Sequence, residues 1–146
     1  MKLFFFIIII CFNTLQIVKA ELEDIFVIDV DELTAKKKIV FTGSIEEGKK
    51  LFASRKFNCL SCHKAPIQGE EFQGNFGPTL EKVGSTYNKD ELRLRIINPK
   101  VINPNTIMPS YFVKIKYPRT AKKYFNKTIL SAQEVENLVE YLYSLK

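Results

Sequence analysis

Three stretches of this chain repeat apolar residues at helical spacing, and one near its start is apolar without a break. The unbroken run, residues 3–12, follows Lys2 and precedes Val18-Lys19-Ala20, whose small or modest side chains suit the positions a signal peptidase reads. It is too short to span a bilayer comfortably, so residues 1–20 are expected to be a cleaved signal peptide and the mature protein periplasmic. The clearest helix starts at Ser131. Ser131 as N-cap and Glu134 form a capping box, and Leu130 with Val135 a hydrophobic staple. Val135, Leu138, Val139 and Leu142 continue the stripe, which Tyr141 and Leu145 widen. An earlier helix should run from Ser44 to about Ser54, with Glu47 completing a capping box and Ile45, Gly48 and Phe52 on one face. Glycine inside a helix costs about 1 kcal/mol relative to alanine, so Gly48 is expected where another helix approaches closely, namely the last one. A third helix reads from Asn88, with Glu91 at its third position and Leu92, Leu94, Ile96 and Ile97 as apolar surface, until Asn98-Pro99 stops it.

Between these helices the chain is punctuated rather than periodic. Pro66, Gly69, Gly74 and Gly77 mark residues 64–77 as a loop. Residues 99–109 are rich in Pro and Asn and should form an extended loop, in which Pro109 restricts Met108 to extended backbone. Residues 111–126 are basic and aromatic, and should cover one side of whatever pocket the helices form. Residues 21–42 form an N-terminal extension with an apolar start and a basic run, Lys36-Lys37-Lys38, expected to be solvated. A short strand, a wrapping arm and a partner contact all suit that extension. Residues 43–146 make the remaining domain, expected to be all-α.

Charge and cysteine content narrow the classes. The 146 residues hold 22 Lys and Arg against 16 Asp and Glu, a formal charge of +6. Cleavage after Ala20 removes Lys2, Lys19 and Cys11 but no acid, leaving 126 residues at +4 with two cysteines. That is the size of one domain. The lysines are spread along the chain without a basic, aromatic-interleaved cluster, so no nucleic acid partner is expected. No stable membrane anchor is expected either.

Both remaining cysteines fall in Cys59-Leu60-Ser61-Cys62-His63, the spacing that attaches c-type haem. Each thiol can add across a porphyrin vinyl group, and His63 then supplies one axial bond to the iron. A zinc site would need further cysteines or histidines, and none follows. A thioredoxin-like site should open a helix in a βαβ pattern, which is missing. Met108 is the only methionine besides the initiator, and its thioether as second axial ligand would raise the reduction potential. A lone methionine is otherwise a gap filler in a core, and a lysine is another candidate ligand. The Nδ1–H of a proximal histidine needs an acceptor; the carbonyl of Pro78 suits that role, with a plain loop turn as the alternative. One haem c would complete the core of so small a domain. With both axial positions filled, electron transfer is expected rather than oxygen or peroxide chemistry. No spare histidine or thiol remains, so no catalytic residue is expected on this chain.

The order of helix, Cys-x-x-Cys-His, Gly-Pro, Met and helix resembles the class I cytochromes c over residues 43–146, with helices packed around one covalently bound haem. Within that superfamily the chain is most similar to the SoxX family. Phe76-Gly77-Pro78-Thr79-Leu80, the run from Asn103 through Met108-Pro109-Ser110-Tyr111, and Leu130-Ser131-Ala132-Gln133-Glu134-Val135-Glu136 carry that likeness. It implies a heterodimer with a dihaem or monohaem SoxA-like subunit bearing the catalytic cysteine. The complex would couple thiosulfate oxidatively to a cysteine of the SoxYZ carrier, and a small cytochrome c would accept the electrons. A free periplasmic cytochrome c serving another enzyme, and a haem-free thiol module, are the alternatives.

Overall fold

The computed structural model describes residues 25–146, so the expected signal peptide lies outside the described residues. Strands β1 (Phe26–Asp29) and β2 (Thr34–Lys37) form an antiparallel hairpin, with Phe26 opposite Lys37 and Asp29 opposite Thr34. Asp29 starts the turn by accepting the Glu32 N–H at 3.0 Å, and Leu33 closes it in the left-handed region at φ 51°. Helices α1 (Ile45–Ala53), α2 (Val83–Thr86), α3 (Lys89–Ile97) and α4 (Ala132–Ser144) follow, with short 3₁₀ turns at Cys59–Ser61 and Pro99–Val101.

The hairpin adds a small sheet to a fold expected to be all-α. It lies in residues 21–42, where a short strand is one of three readings of the sequence, outside the helical residues 43–146. Its strands are four residues each, too short for alternation to identify them, and docking is what makes them stable. Ala35 is fully buried, its carbonyl accepts Arg93 Nη1 at 2.6 Å, and Phe26 packs edge-on against Phe112 with ring centroids 5.1 Å apart.

Helix α4 is the spine. Its Ser131–Glu134 box is complete, and Leu130 and Val135 are both buried at its start. Helix α1 crosses it where expected: a Cβ on Gly48 would lie 1.9 Å from the Asn137 carbonyl oxygen, and Phe52 meets Tyr141 at 5.7 Å between rings. Two details differ from the sequence reading. Only half of the Ser44 box forms, because the Ser44 N–H donates to Asn137 Oδ1 at 2.9 Å while Glu47 pairs with Lys50. Ile45 is 52% exposed, since Gly48 and Phe52 take the places against α4.

Helix α3 has its Asn88–Glu91 box and is buried nearly all round, with α4 on one side and β2 on the other. Arg93 is 2% exposed and Glu136 fully buried. Glu136 accepts Arg93 Nε at 2.5 Å and Nη2 at 3.2 Å, and Lys37 Nζ at 3.0 Å; Arg93 also bonds the Asp90 carboxylate. Every charge in this buried group is thus answered, and Lys37 is an anchor of the hairpin rather than a solvated lysine.

Residues 115–127 also depart from expectation. Two bonds close the base of this excursion, Ile115 N–H to Lys127 O at 3.1 Å and Asn126 N–H to Ile115 O at 2.7 Å. Most of its residues are exposed, as its cations require, and it folds back on itself rather than lining the core.

Candidate functional site

The attachment motif is built by the turn that leaves α1. Phe57 and Asn58 N–H both bond the Ser54 carbonyl, and Asn58 adopts the left-handed region at φ 57°, which asparagine tolerates. The chain thereby enters a tight turn in which the Cys59 carbonyl accepts N–H groups from both Cys62 and His63, at 3.2 and 3.0 Å. Leu60 is buried and anchors the turn. The two cysteines are free thiols, not a disulfide, and each is half-buried. Burial pushes the Cys59 thiol up to about 11, so it stays protonated at neutral pH in the unmodified chain.

Residues 64–80 fold back onto this turn in register. Gly74 N–H bonds Leu60 O at 2.7 Å, Gly77 N–H bonds Cys62 O at 2.8 Å, and Leu80 N–H bonds Lys64 O at 2.8 Å. Gln73 holds the start of the loop, accepting Ala65 N–H at 2.7 Å. His63 is the residue this loop fixes. Its Nδ1 lies 2.9 Å from the Pro78 carbonyl, so Nδ1–H donates there and Nε2 keeps its lone pair. A Cβ on Gly77 would sit 2.3 Å from Cε1, 2.5 Å from Nδ1 and 2.9 Å from Nε2. Any side chain at Gly77 would therefore push the imidazole out of place.

Met108 is half-buried against the core, and the structure links it to the motif indirectly. Its N–H bonds Thr106 Oγ1 at 3.2 Å. Three residues on, Tyr111 is 8% exposed and its hydroxyl donates to the Phe57 carbonyl at 2.9 Å, two residues before Cys59. Burial raises the Tyr111 pKa far above its ordinary value. Its hydroxyl is therefore a hydrogen-bond donor at all ordinary pH.

This donor set fits a covalently held haem. Two free thiols and an imidazole lie within five residues, Nδ1 is engaged so that Nε2 of the neutral ring is left free to ligate a metal, and Gly77 leaves room for the ring and nothing more. Among the described residues, no group of three or more His, Cys, Asp or Glu is placed to hold a bare metal ion. Sequence reasoning found Cys59, Cys62, His63, Pro78 and Met108 as candidates. It took Gly77 for punctuation and missed Gln73 and Tyr111, whose partners are 8 and 54 residues away. Phe72, Phe76 and Ile107 stand well exposed on the two loops that flank His63 and Met108.

A family model for cytochrome c matches residues 45–146. The crystal structure of SoxXA from P. pantotrophus superposes with a TM-score of 0.70 at 26% identity, covering 79% of this chain and 91% of that one. No curated protein matches the sequence.

Proposed function

The chain belongs to the cytochrome c family, and from that premise we propose that it is a periplasmic, monohaem electron carrier of the SoxX type. The observation that carries the reading is the fixed His63. Its imidazole is hydrogen-bonded through Nδ1 to Pro78 and wedged against Gly77 in the turn that presents Cys59 and Cys62. Those two cysteines would hold haem c by thioethers, and His63 Nε2 and the Met108 sulfur would ligate its iron. Bound there, the haem supplies a one-electron ferric/ferrous couple. Pro78 keeps His63 in one tautomer and raises its basicity as a ligand. A methionine thioether favours the ferrous state and so sets the couple high. Leu60 and Phe57 shield the attachment turn from water on the core side.

The chain keeps no thiol beyond Cys59 and Cys62 after loss of the leader, and its only histidine is His63. Bond-making in an enzyme of which this chain is a subunit therefore falls to another polypeptide. The likeness to SoxXA and the coverage of 91% of that chain support a SoxA-like partner. Exposed Phe72, Phe76 and Ile107 give such a partner apolar surface beside the site. In this reading the complex couples thiosulfate to a SoxYZ cysteine and this chain passes the electrons, one at a time, to a small cytochrome c.

The test is purification from the native periplasm, then addition of thiosulfate and SoxYZ while the haem absorption is followed. A tight complex with a second haem-bearing chain and carrier-dependent reduction is the expected result. A monomer that stays oxidised would overturn the sulfur-oxidation role and leave a general electron carrier.

A further inference from the structure

The segment that carries Met108 is tied toward the attachment turn by the side chain of Tyr111. Tyr111 backbone N–H bonds Ile96 O at the end of α3 at 3.1 Å, and its carbonyl accepts both Ile129 and Leu130 N–H, at 3.0 and 2.9 Å, at the entry to α4. Its hydroxyl reaches Phe57 O at 2.9 Å. One residue thus joins three parts of the fold, and only the hydroxyl bond runs to the turn that bears Cys59. Ser110 adds a neighbouring tie, donating to Asn98 Oδ1 at 2.8 Å, and Phe112 N–H bonds Ile97 O at 3.2 Å. Met108 lies two residues before Ser110, and the ring of Pro109 transmits the constraint because its φ is fixed.

We propose that Tyr111 is a positioning residue: through Phe57 it ties the Met108 loop to the attachment motif and keeps the thioether presented to the iron. The role rests on the reading of Met108 as axial ligand. Without the hydroxyl bond, the loop keeps its ties to α3 and α4 but loses the one that sets its place relative to Cys59. The thioether then competes less well with an added ligand.

The experiment compares ferric holoprotein of the wild type, Tyr111→Phe, Ser110→Ala and Phe52→Leu. Tyr111→Phe removes only a hydroxyl, so the buried ring that folding needs is retained. Phe52→Leu weakens the α1–α4 contact with Tyr141 and serves as a control for general loss of stability. The readouts are the thioether-to-ferric-iron charge-transfer absorption and the affinity for added imidazole. Tyr111→Phe should weaken the band and bind imidazole about three- to tenfold more tightly, the scale of one hydrogen bond. Ser110→Ala should move both in the same direction by less, and Phe52→Leu should melt lower with the band retained. A wild type with the band, and Tyr111→Phe matching it in band and imidazole affinity, would overturn the role of Tyr111 alone. A wild type without the band would overturn the proposal together with the assignment of Met108.

Discussion

At the scale of single residues, the site is a problem of holding one imidazole still. Gly77 leaves no space for a methyl group beside three atoms of the His63 ring. Gly77→Ala should therefore displace His63, or fail to retain haem, whereas a glycine present only for loop flexibility would accept alanine for under about 1 kcal/mol. Haem content and the potential of the purified variant decide between them. Met108→Ala should keep both thioethers, lower the potential and open the iron to exogenous ligands; an unchanged visible spectrum would exclude Met108 as ligand. The attachment motif and the Gly-Pro pair were legible because short spacing alone defines them. Gly77 against His63 and Tyr111 against Phe57 were not, because both are contacts between distant parts of the chain that no local pattern encodes.

At the scale of elements, the α1–α4 crossing is the contact on which the domain closes. A methyl on Gly48 would overlap the Asn137 carbonyl, so the helices must separate. Alanine gains about 1 kcal/mol in helix propensity, but overpacking a tight core costs about 1–3 kcal/mol or more, so Gly48→Ala should be net destabilising in denaturant unfolding. Tyr141 in the same contact is buried with no partner for its hydroxyl among the described residues, and burial raises its pKa above the ordinary 10.0. A group with a raised folded pKa contributes stability below its unfolded pKa and loses it as pH rises through the folded value. Tyr141→Phe should thus be neutral or stabilising at pH 7 and should flatten the loss of stability above about pH 10; a loss at pH 7 would show that the hydroxyl is satisfied. Helices α1, α3 and α4 were readable from capping boxes and apolar spacing. The hairpin was legible only as one of three readings of residues 21–42. Its strands are too short to show a period, and the residues that secure it, Arg93 and Glu136, look like surface charges when read along a helix.

At the scale of the whole molecule, the extension is part of the domain. Lys37 and Ala35 of β2 converge with α3 and α4 on the Arg93–Glu136 pair. Glu136→Ala would leave Arg93 buried with its main partner gone, a change that costs about 3–5 kcal/mol in comparable pairs and a large part of a domain's total stability. Melting of the haem-loaded protein should fall accordingly; an unchanged melting point would mean that the hairpin and its charges sit loosely. Apolar side chains are left outside on the hairpin, at Val27, Val30 and Leu33, and on the loops beside the site, at Phe72, Phe76 and Ile107. A partner that receives electrons there would need no change in the buried frame. The measurement that tests the account most directly is the intact mass of the chain purified from its native host. A secreted monohaem cytochrome c should weigh residues 21–146 plus one haem, with no thiol open to alkylation. A mass equal to polypeptide alone, with Cys59 and Cys62 both alkylated, would contradict it.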